Sequence, residues 1–504
     1  MSLHESLVRV LGEGKVSEAD LERRAVARDM WPRAFLLERA QGVAAAIPAC
    51  VVWPESDDDV VAAISVAREE RVPIVPYGGG SGVVGGATPP AGSIVLDMKR
   101  MARLVAFDAA SWLVTAEAGI MGENLERELG ARGGTLSHFP SSIYCSTLGG
   151  WIAARSSGQL STRYGSIERR LVGLDAVLGT GERLSIPATP RTAAGPDLLG
   201  LFAGSEGTLG VITRATLRAH PEPAERCFHA YRFEGIAPAL DAIRTTLQSG
   251  IAPACVRLYD ELDTLLGKSG GDEERKKESS FFSLGRIFAG AAEKAIPLAF
   301  SQRGRIDALI GKIGKGCVLV TTYEGAPGVA SAEDAAAARI MLAAGGKDEG
   351  PGPARHWWEH RYDISFKQSE VIRHGGFVDT IEVAAPWSRL MDLYRSMRAT
   401  ILEHALVMAH FSHAYTDGCS IYFTVIGHAP TDLEKVALYD RTWTAALAAC
   451  HAAGATVTHH HGVGRLKVDA FRQERRAAGM ALLARIKTAF DPDGILNPGA
   501  LGVP

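Results

Sequence analysis

The amino-acid sequence predicts an α+β protein made of two large domains behind a short helical segment. Three observations support this prediction: a length of 504 residues, strand and helix patterns that alternate from about residue 51, and a change of pattern after Pro221 and Pro223. A chain of this length exceeds the size at which a single hydrophobic core stops growing. We therefore expect an N-terminal helical segment at residues 1–45, one domain at 46–222 and a second at 223–504.

The elements of the first domain follow one another in a regular order. Val51–Trp53 is expected to be extended, and Ser56 is expected to cap a helix that begins with three aspartates. Acidic residues favour the positive end of a helix, and Val60 and Ile64 then recur at helical spacing. Further strands are predicted at 72–77, 93–98 and 111–119, and a further helix at 122–134.

Composition excludes several classes of protein. The 54 basic and 57 acidic residues give a net charge of −3, which argues against a protein that binds nucleic acid by neutralising phosphates. Seven cysteines without a C-x-x-C pair are typical of free thiols in a reducing compartment. Because neither a cleavable leader nor an apolar run of about 18 residues occurs, we expect a cytoplasmic protein.

A glycine-rich stretch, PYGGGSGVVGGATPP (76–90), follows a predicted strand. It contains G-x-G-x-x-G, but a Rossmann loop must open a helix, and Pro89 and Pro90 are followed by another strand. A nicotinamide site is therefore not expected. The remaining interpretations are a plain glycine-rich hairpin or a loop whose backbone N–H groups surround an anion.

Two more segments of small residues, at 146–168 and 204–213, also allow a ligand to approach the backbone closely. Three such segments in one domain favour a long cofactor that lies across it. A dinucleotide has the required length.

These segments, together with THHHGVGRLK (458–467) and FDPDGILNPG (490–499), resemble the FAD-binding oxidase and transferase family that includes vanillyl-alcohol oxidase. Within it, the triple histidine, GCSIYFTV (418–425) and VDTIEVAAPWSRL (378–390) are most similar to the alkylglycerone-phosphate synthases. The resemblance implies a PCMH-type FAD-binding domain of two subdomains. It also implies a second α+β substrate (cap) domain with an antiparallel sheet and C-terminal helices.

The resemblance places FAD against the three small-residue segments. The implied cofactor-binding residues are Pro76, Gly78, Gly79, Gly80, Ser81, Gly82, Pro140, Ser141, Ser146, Thr147, Gly149, Gly150, Ser156, Ser157, Gly158, Glu206, Gly207, Gly210, Val211 and Ile212. Some members attach FAD through a histidine or cysteine in the glycine loop. Neither residue occurs at 76–90, so we expect non-covalent FAD.

The triplet His459, His460 and His461 lies in a sequence context typical of a strand. Alternation along a strand would direct His459 and His461 to one face and His460 to the other, so a metal site from the triplet alone is not expected. Related hydroxyacid dehydrogenases bind a metal through a motif of which His413 and Asp417 remain recognisable here. The second histidine of that motif is absent at 420–422, and His460 stands where a glutamate would be, so we expect no metal.

The resemblance assigns the catalytic proton transfer to Tyr422. A phenol is a poor base unless nearby cations stabilise its anion, and the histidine triplet is the candidate source of such cations. A tyrosine packed in the core is the alternative. The synthases also use an arginine to hold the anionic substrate; Lys367 is the best-matching cation here, and Arg373 is the alternative.

The implied activity is exchange of the acyl group of an acyl-dihydroxyacetone phosphate for a long-chain alcohol, with Tyr422 and His459–His461 as catalytic residues. The alternatives are an FAD-linked dehydrogenase or oxidase of a 2-hydroxyacid or alcohol, and a non-catalytic FAD-bearing sensor. The implied partners are a small-molecule or lipid substrate and a second copy of the chain in a homodimer. The resemblance also allows peripheral contact with a membrane.

Overall fold

The computed structural model describes residues 1–42, 46–267, 303–304, 316–363, 371–373 and 375–504. These residues form two compact units. The first unit contains residues 1–158, 165–222 and 460–504, and the second contains 159–164 and 223–459. Helices are combined with mainly antiparallel sheets, which confirms the predicted α+β class.

The N-terminal segment is helical, as predicted, with helices at Leu3–Leu11, Asp20–Ala25 and Pro32–Gln41. The first helix begins with a capping box, in which the Ser2 hydroxyl accepts the N–H of Glu5 and the Glu5 carboxylate accepts the N–H of Ser2. Between the first two helices, Val16–Ser17 forms a short strand that pairs with Cys50–Val52.

A four-stranded sheet follows in the first unit. Its strands are arranged in the order Val16–Ser17, Cys50–Val52, Ile94–Asp97 and Ile74–Tyr77. The helix Asp57–Glu70 begins at Ser56, whose hydroxyl accepts the N–H of Asp59, as the sequence predicted. Val60 and Ile64 of this helix are fully buried in the same hydrophobic cluster as residues of the sheet.

The rest of the first unit contains a five-stranded antiparallel sheet in the order Leu104–Asp108, Leu113–Glu117, Gly210–Arg218, Leu171–Leu178 and Arg183–Ile186. Gly134–Thr135 and His220–Pro221 form a separate pair of strands. The remaining α-helices of the unit are Gly122–Gly130, Leu148–Ala154, Ile167–Arg170, Leu199–Phe202 and Val468–Phe490.

The second unit contains a seven-stranded sheet in which every neighbouring pair is antiparallel. The strand order is Lys347–Gly350, Glu225–Phe233, Cys317–Gly325, Cys255–Tyr259, Leu406–Ala414, Gly418–His428 and Gly376–Pro386. Its helices include Ser161–Tyr164, Ile236–Gln248, Glu261–Gly267, Val329–Ala343, Gly352–His360, Trp387–Leu402 and Asp432–Ala452.

The C-terminal residues 460–504 group with the first unit, whereas the sequence-based division placed them in the second domain. Hydrogen bonds explain this grouping: Arg465 donates to the Thr88 carbonyl at 3.0 and 3.2 Å, and Asn497 donates to the Gly86 carbonyl at 2.8 Å. Within the described part of the chain, every helix is too short or too polar to cross a membrane.

Candidate active site

The glycine loop of the first unit begins where the strand Ile74–Tyr77 ends, and no helix follows it before the strand Ile94–Asp97. Two of its glycines lie against the second small-residue segment. A Cβ atom on Gly78 would lie 2.2 Å from Thr147 Oγ1, and one on Gly79 would lie 1.9 Å from the Cys145 carbonyl oxygen. Any larger residue would therefore separate the two segments, and the predicted close approach of backbone to backbone is present.

The second segment turns into the helix Leu148–Ala154, which begins at Thr147. The Thr147 hydroxyl accepts the N–H of Gly150 at 3.3 Å. The Ser146 hydroxyl accepts the indole N–H of Trp151 and donates to a backbone carbonyl, both at 2.8 Å. The side chains of Ser146 and Thr147 thus form hydrogen bonds within the segment itself, and these bonds stabilise its conformation.

Residues on either side of this helix complete the segment. Pro140 accepts the N–H of Ile143 at 3.0 Å, in the turn that contains Ser141. Ser156 is hydrogen-bonded to His138 Nε2 at 2.9 Å, and a Cβ atom on Gly158 would lie 2.5 Å from the backbone nitrogen of Phe139. The two ends of the segment, Pro140–Ser141 and Ser156–Gly158, therefore lie close to each other.

The third segment approaches the glycine loop through Gly207, whose added Cβ atom would lie 3.2 Å from the Pro76 ring. Glu206 has a positive φ of 49° and is half-buried. Its two carboxylate oxygens accept the backbone N–H groups of Val463 and Gly464 at 2.6 and 2.8 Å. Glu206 thus holds Val463 and Gly464, which follow the histidine triplet in the chain. Sequence reasoning missed this role.

The second unit places Tyr422 on the strand Gly418–His428, beside the edge strand Gly376–Pro386 of the seven-stranded sheet. In the strand register, Tyr422 is directly opposite Glu382 on one side and His410 on the other. Residues opposite each other on neighbouring strands share a face, and the rings of Tyr422 and His410 stack with centroids 4.8 Å apart and planes at 13°. The polar sheet face, defined here by Arg257, Glu382, His410 and Tyr422, is the candidate site in this unit.

The side chains of His413 and His459 extend the polar sheet face. His413 lies at a bulge of the strand Leu406–Ala414, with a positive φ of 53°. Bulges redirect side chains, and here His413 Nδ1 meets the Ser161 hydroxyl at 2.6 Å. His413 also stacks on His459, with ring centroids 5.4 Å apart, and the Tyr415 hydroxyl lies 3.0 Å from His459 Nε2.

The histidine triplet does not lie in a strand: residues 459–461 form a bend. The predicted alternation of the three side chains is therefore wrong. The reason lies in Glu382, whose carboxylate accepts both the Thr458 hydroxyl and the backbone N–H of His459 and so fixes the chain in a turn. Next along the chain, the rings of His460 and His461 meet edge to face at 4.7 Å.

The reasoning against a metal left out Glu382, which supplies a carboxylate beside His459. Potential ligand atoms of Glu382 and His459 lie within 4.8 Å of each other. The Glu382 oxygens, however, already accept two hydrogen bonds from Thr458 and His459. The absence of a metal stays a prediction, based on the incomplete dehydrogenase motif of the sequence.

Two imidazoles of the candidate site, those of His410 and His459, have lowered pKa values. Burial lowers the pKa of His459, and burial together with Arg257 lowers the pKa of His410 to about 4. Burial raises the pKa of Tyr422, Glu382 raises it further, and Arg257 opposes both. These shifts favour the protonated phenol of Tyr422 in the free protein, and stabilisation of its anion by the histidine triplet stays a prediction.

Arg257 is the permanent cation of the polar sheet face and was missed from the sequence. Its guanidinium lies 2.8 Å from His410 Nε2. The available signal was a charged residue inside a strand with an otherwise apolar pattern, Cys255–Tyr259. Of the two cations that were predicted, Lys367 lies outside the described residues, and Arg373 is exposed.

Two protein-family models match most of the chain. Residues 48–186 match the model of an FAD binding domain, and residues 222–501 match that of the C-terminal domain of FAD linked oxidases. The chain belongs to the FAD-linked oxidase family. The chain is 29% identical over 487 residues to the alkyldihydroxyacetonephosphate synthase of Trypanosoma brucei brucei, covering 94% of this chain and 75% of that protein.

The chain is also similar to a dehydrogenase and to a solved structure. It is 27% identical over 460 residues to the mitochondrial D-lactate dehydrogenase [cytochrome] of Arabidopsis thaliana, covering 90% of this chain and 73% of that protein. A solved structure of an alkyldihydroxyacetonephosphate synthase superposes with a TM-score of 0.78 at 25% identity, covering 98% of this chain and 85% of the other.

FAD is accordingly the cofactor of this FAD-dependent enzyme. The residues of the first unit suit a dinucleotide, because the run Gly78–Gly80 has no side chains to exclude a diphosphate and Gly80 adopts a positive φ of 65°. When bound, FAD supplies an isoalloxazine ring that accepts electrons or forms a bond with a substrate carbon.

Proposed function

We propose that this enzyme exchanges the acyl group of an acyl-dihydroxyacetone phosphate for a long-chain alcohol, which gives an ether lipid precursor. The names of the synthase relatives support this reaction, and so does the similarity of the chain to a synthase along nearly its whole length. The observation that carries the proposal is the position of Tyr422 between Glu382 and His410 on one face of the sheet.

Tyr422 is proposed to transfer the proton of the substrate C–H group. The phenol is protonated in the free protein, so it must first lose its proton to a neighbouring base or act as the acid. His410 is stacked on its ring and is neutral, with its Nε2 lone pair facing the Arg257 guanidinium at 2.8 Å, so accepting a proton there requires that contact to open. A tyrosine between a carboxylate and a neutral imidazole can therefore exchange protons without a metal.

Arg257 is proposed to bind the phosphate of the substrate. It is partly buried on the same sheet face as Tyr422, and a guanidinium forms paired hydrogen bonds with phosphate oxygens. Lys367 and Arg373 remain proposed substrate-binding residues. If Arg257 carries the larger share of binding, Arg257→Met will raise the KM for a phosphorylated substrate far more than Arg373→Met will.

His459–His461 are proposed to hold the phosphate and to share its protons. A phosphate beside these imidazoles would favour their charged forms, whereas burial lowers the pKa of His459 in the free protein. Binding of a phosphorylated substrate should therefore weaken as the pH rises past neutrality. Single alanine variants will separate the roles: loss of a binding residue raises KM, and loss of a proton-transfer residue lowers kcat.

The alternative, oxidation of a 2-hydroxyacid or alcohol, is favoured by the similarity to D-lactate dehydrogenase. A stopped-flow experiment distinguishes the two reactions through the visible spectrum of the bound flavin. A dihydroxyacetone-phosphate ester should perturb the spectrum, whereas D-lactate should leave it oxidised. Bleaching by D-lactate, with no response to the ester, would replace the proposal by the alternative.

A cytoplasmic location, a homodimer and peripheral contact with a membrane belong to the same proposal. The location rests on the expectation from the sequence, and the homodimer and membrane contact rest on the resemblance to the synthases. Analytical ultracentrifugation and vesicle flotation would test the last two.

A further inference from the structure

The N-terminal segment packs against the glycine loop of the first unit at Arg28–Trp31. The backbone N–H of Met30 donates to the Gly82 carbonyl at 2.8 Å, and the Tyr77 hydroxyl donates to the Arg28 carbonyl at 2.9 Å. A Cβ atom on Gly85 would lie 2.7 Å from the Trp31 ring. The loop is therefore shaped by residues that precede the matched FAD binding domain at 48–186.

Asp29 lies at the centre of this contact and is 1% exposed. One carboxylate oxygen accepts the N–H of Trp31 at 3.1 Å and the hydroxyl of Thr88 at 3.4 Å, and the other accepts the N–H of Ala87 at 3.4 Å. A Cβ atom on Gly82 would lie 3.3 Å from the same second oxygen. Asp29 thus touches the loop in its middle, at Gly82, and at its C-terminal end, at Ala87 and Thr88.

We propose that Asp29 is a positioning residue of the FAD site: it fixes the glycine loop, residues 78–88, in the conformation that receives the diphosphate of FAD. The inference rests on the proposed placement of that diphosphate at Gly78–Gly82. Asp29 itself does not touch the cofactor in this account, and its carboxylate acts through the backbone of Ala87 and the side chain of Thr88.

The chemistry of the contact favours a carboxylate over an amide. An ionised carboxylate offers only acceptors, and the groups that it meets here are donors. Asparagine has the same shape, but its NH₂ group would face either the N–H of Trp31 or that of Ala87, donor against donor. Leaving a buried donor unpaired weakens the conformation that contains it.

The raised pKa of Asp29 lets its carboxylate change protonation state close to neutral pH. Burial raises the pKa of Asp29 to about 6, and hydrogen bonds from Trp31 and Ala87 oppose the rise. The ionisable groups that interact with Asp29 are Glu206, Arg465 and Tyr77. Above pH 6 the carboxylate accepts at both oxygens, and below it the protonated group carries one donor, as asparagine does.

The test compares FAD binding to apoprotein of the wild type, Asp29→Asn and Asp20→Asn, followed by quenching of flavin fluorescence. Asp20 is a matched control, because it is an exposed carboxylate of the same N-terminal segment that pairs with Arg24. At pH 7.5, Asp29→Asn should bind FAD about 10- to 100-fold more weakly, and Asp20→Asn should match the wild type. Equal affinity of Asp29→Asn and the wild type would overturn the inference.

Two further readouts separate positioning from a general loss of stability. At pH 5 the difference between Asp29→Asn and the wild type should shrink, because wild-type Asp29 is then protonated; a constant difference would contradict the mechanism. Hydrogen exchange of the apoproteins should be faster at residues 82–88 in Asp29→Asn, with the sheet amides of 94–97 unchanged. Uniformly faster exchange throughout the first unit would show that Asp29 only stabilises the fold.

The outcome is independent of the reaction that the enzyme catalyses. Gly79→Ala provides the check on the loop itself, since its added carbon would overlap the Cys145 carbonyl. If Gly79→Ala binds FAD normally, the proposed placement of the diphosphate is wrong. If FAD binds and Asp29 behaves as expected while no acyl group is exchanged, only the proposed reaction fails.

Discussion

Replacing Tyr422 by phenylalanine removes the hydroxyl that is proposed to transfer a proton and keeps the aromatic ring. The ring stacks on His410 at 4.8 Å, and this packing does not require the hydroxyl. We therefore expect the variant to fold and to retain FAD, with a stability change of about 1 kcal/mol. A general acid or base contributes about 10²–10⁴-fold to the rate, so kcat should fall by that factor, which corresponds to about 3–5 kcal/mol of barrier.

The assay is turnover of acyl-dihydroxyacetone phosphate at saturating substrate, with flavin absorbance as a measure of cofactor content. Tyr394→Phe is the matched control, because Tyr394 is buried in the same unit and its hydroxyl donates to Asp260 at 3.4 Å. This control should keep full activity. If Tyr422→Phe stays within a few-fold of the wild type, Tyr422 is a packing residue and the proton transfer belongs elsewhere.

Four further predictions follow from the same structure. Acid precipitation should release FAD and leave a colourless pellet, since the glycine loop lacks histidine and cysteine; a yellow pellet would indicate a covalent link. Dialysis against a strong chelator should leave activity unchanged, whereas activity lost together with stoichiometric metal would favour a metal-dependent dehydrogenase. Arg257→Met should raise the KM for the phosphorylated substrate at least about 10-fold with flavin content unchanged, and an unchanged KM would remove Arg257 from the site. Asp334 and Asp348 raise the pKa of His229, so this contact should stabilise the protein below about pH 6.5 and lose its effect as the pH rises through the raised pKa. Urea unfolding of His229→Gln should accordingly show a larger deficit at pH 6 than at pH 9, and an equal deficit at both would contradict this reasoning.

Local patterns in the sequence were sufficient for much of the first unit. Ser56, the aspartates after it and the apolar spacing of Val60 and Ile64 determine a helix through interactions within a few residues. The prolines after the glycine loop excluded a helix in the same way, because proline lacks an N–H and fixes φ. Such signals act over one or two turns of chain and are therefore visible in a single sequence.

The features that sequence reasoning missed depend on contacts between distant residues. Glu382 is 40 residues from Tyr422 along the chain, and only the register of two strands places them side by side. The bend of the triplet depends on the same Glu382, and the grouping of residues 460–504 depends on hydrogen bonds to Glu206 and Gly86. No local periodicity contains this information.

Product analysis tests the central claim most directly. The purified enzyme is incubated with palmitoyl-dihydroxyacetone phosphate and deuterated hexadecanol, and the lipids are identified by mass spectrometry. The account predicts a deuterated alkyl ether of dihydroxyacetone phosphate and one released palmitate for each ether formed, with no electron acceptor required. Absence of the ether, together with oxidation of D-lactate that depends on an added electron acceptor, would contradict it.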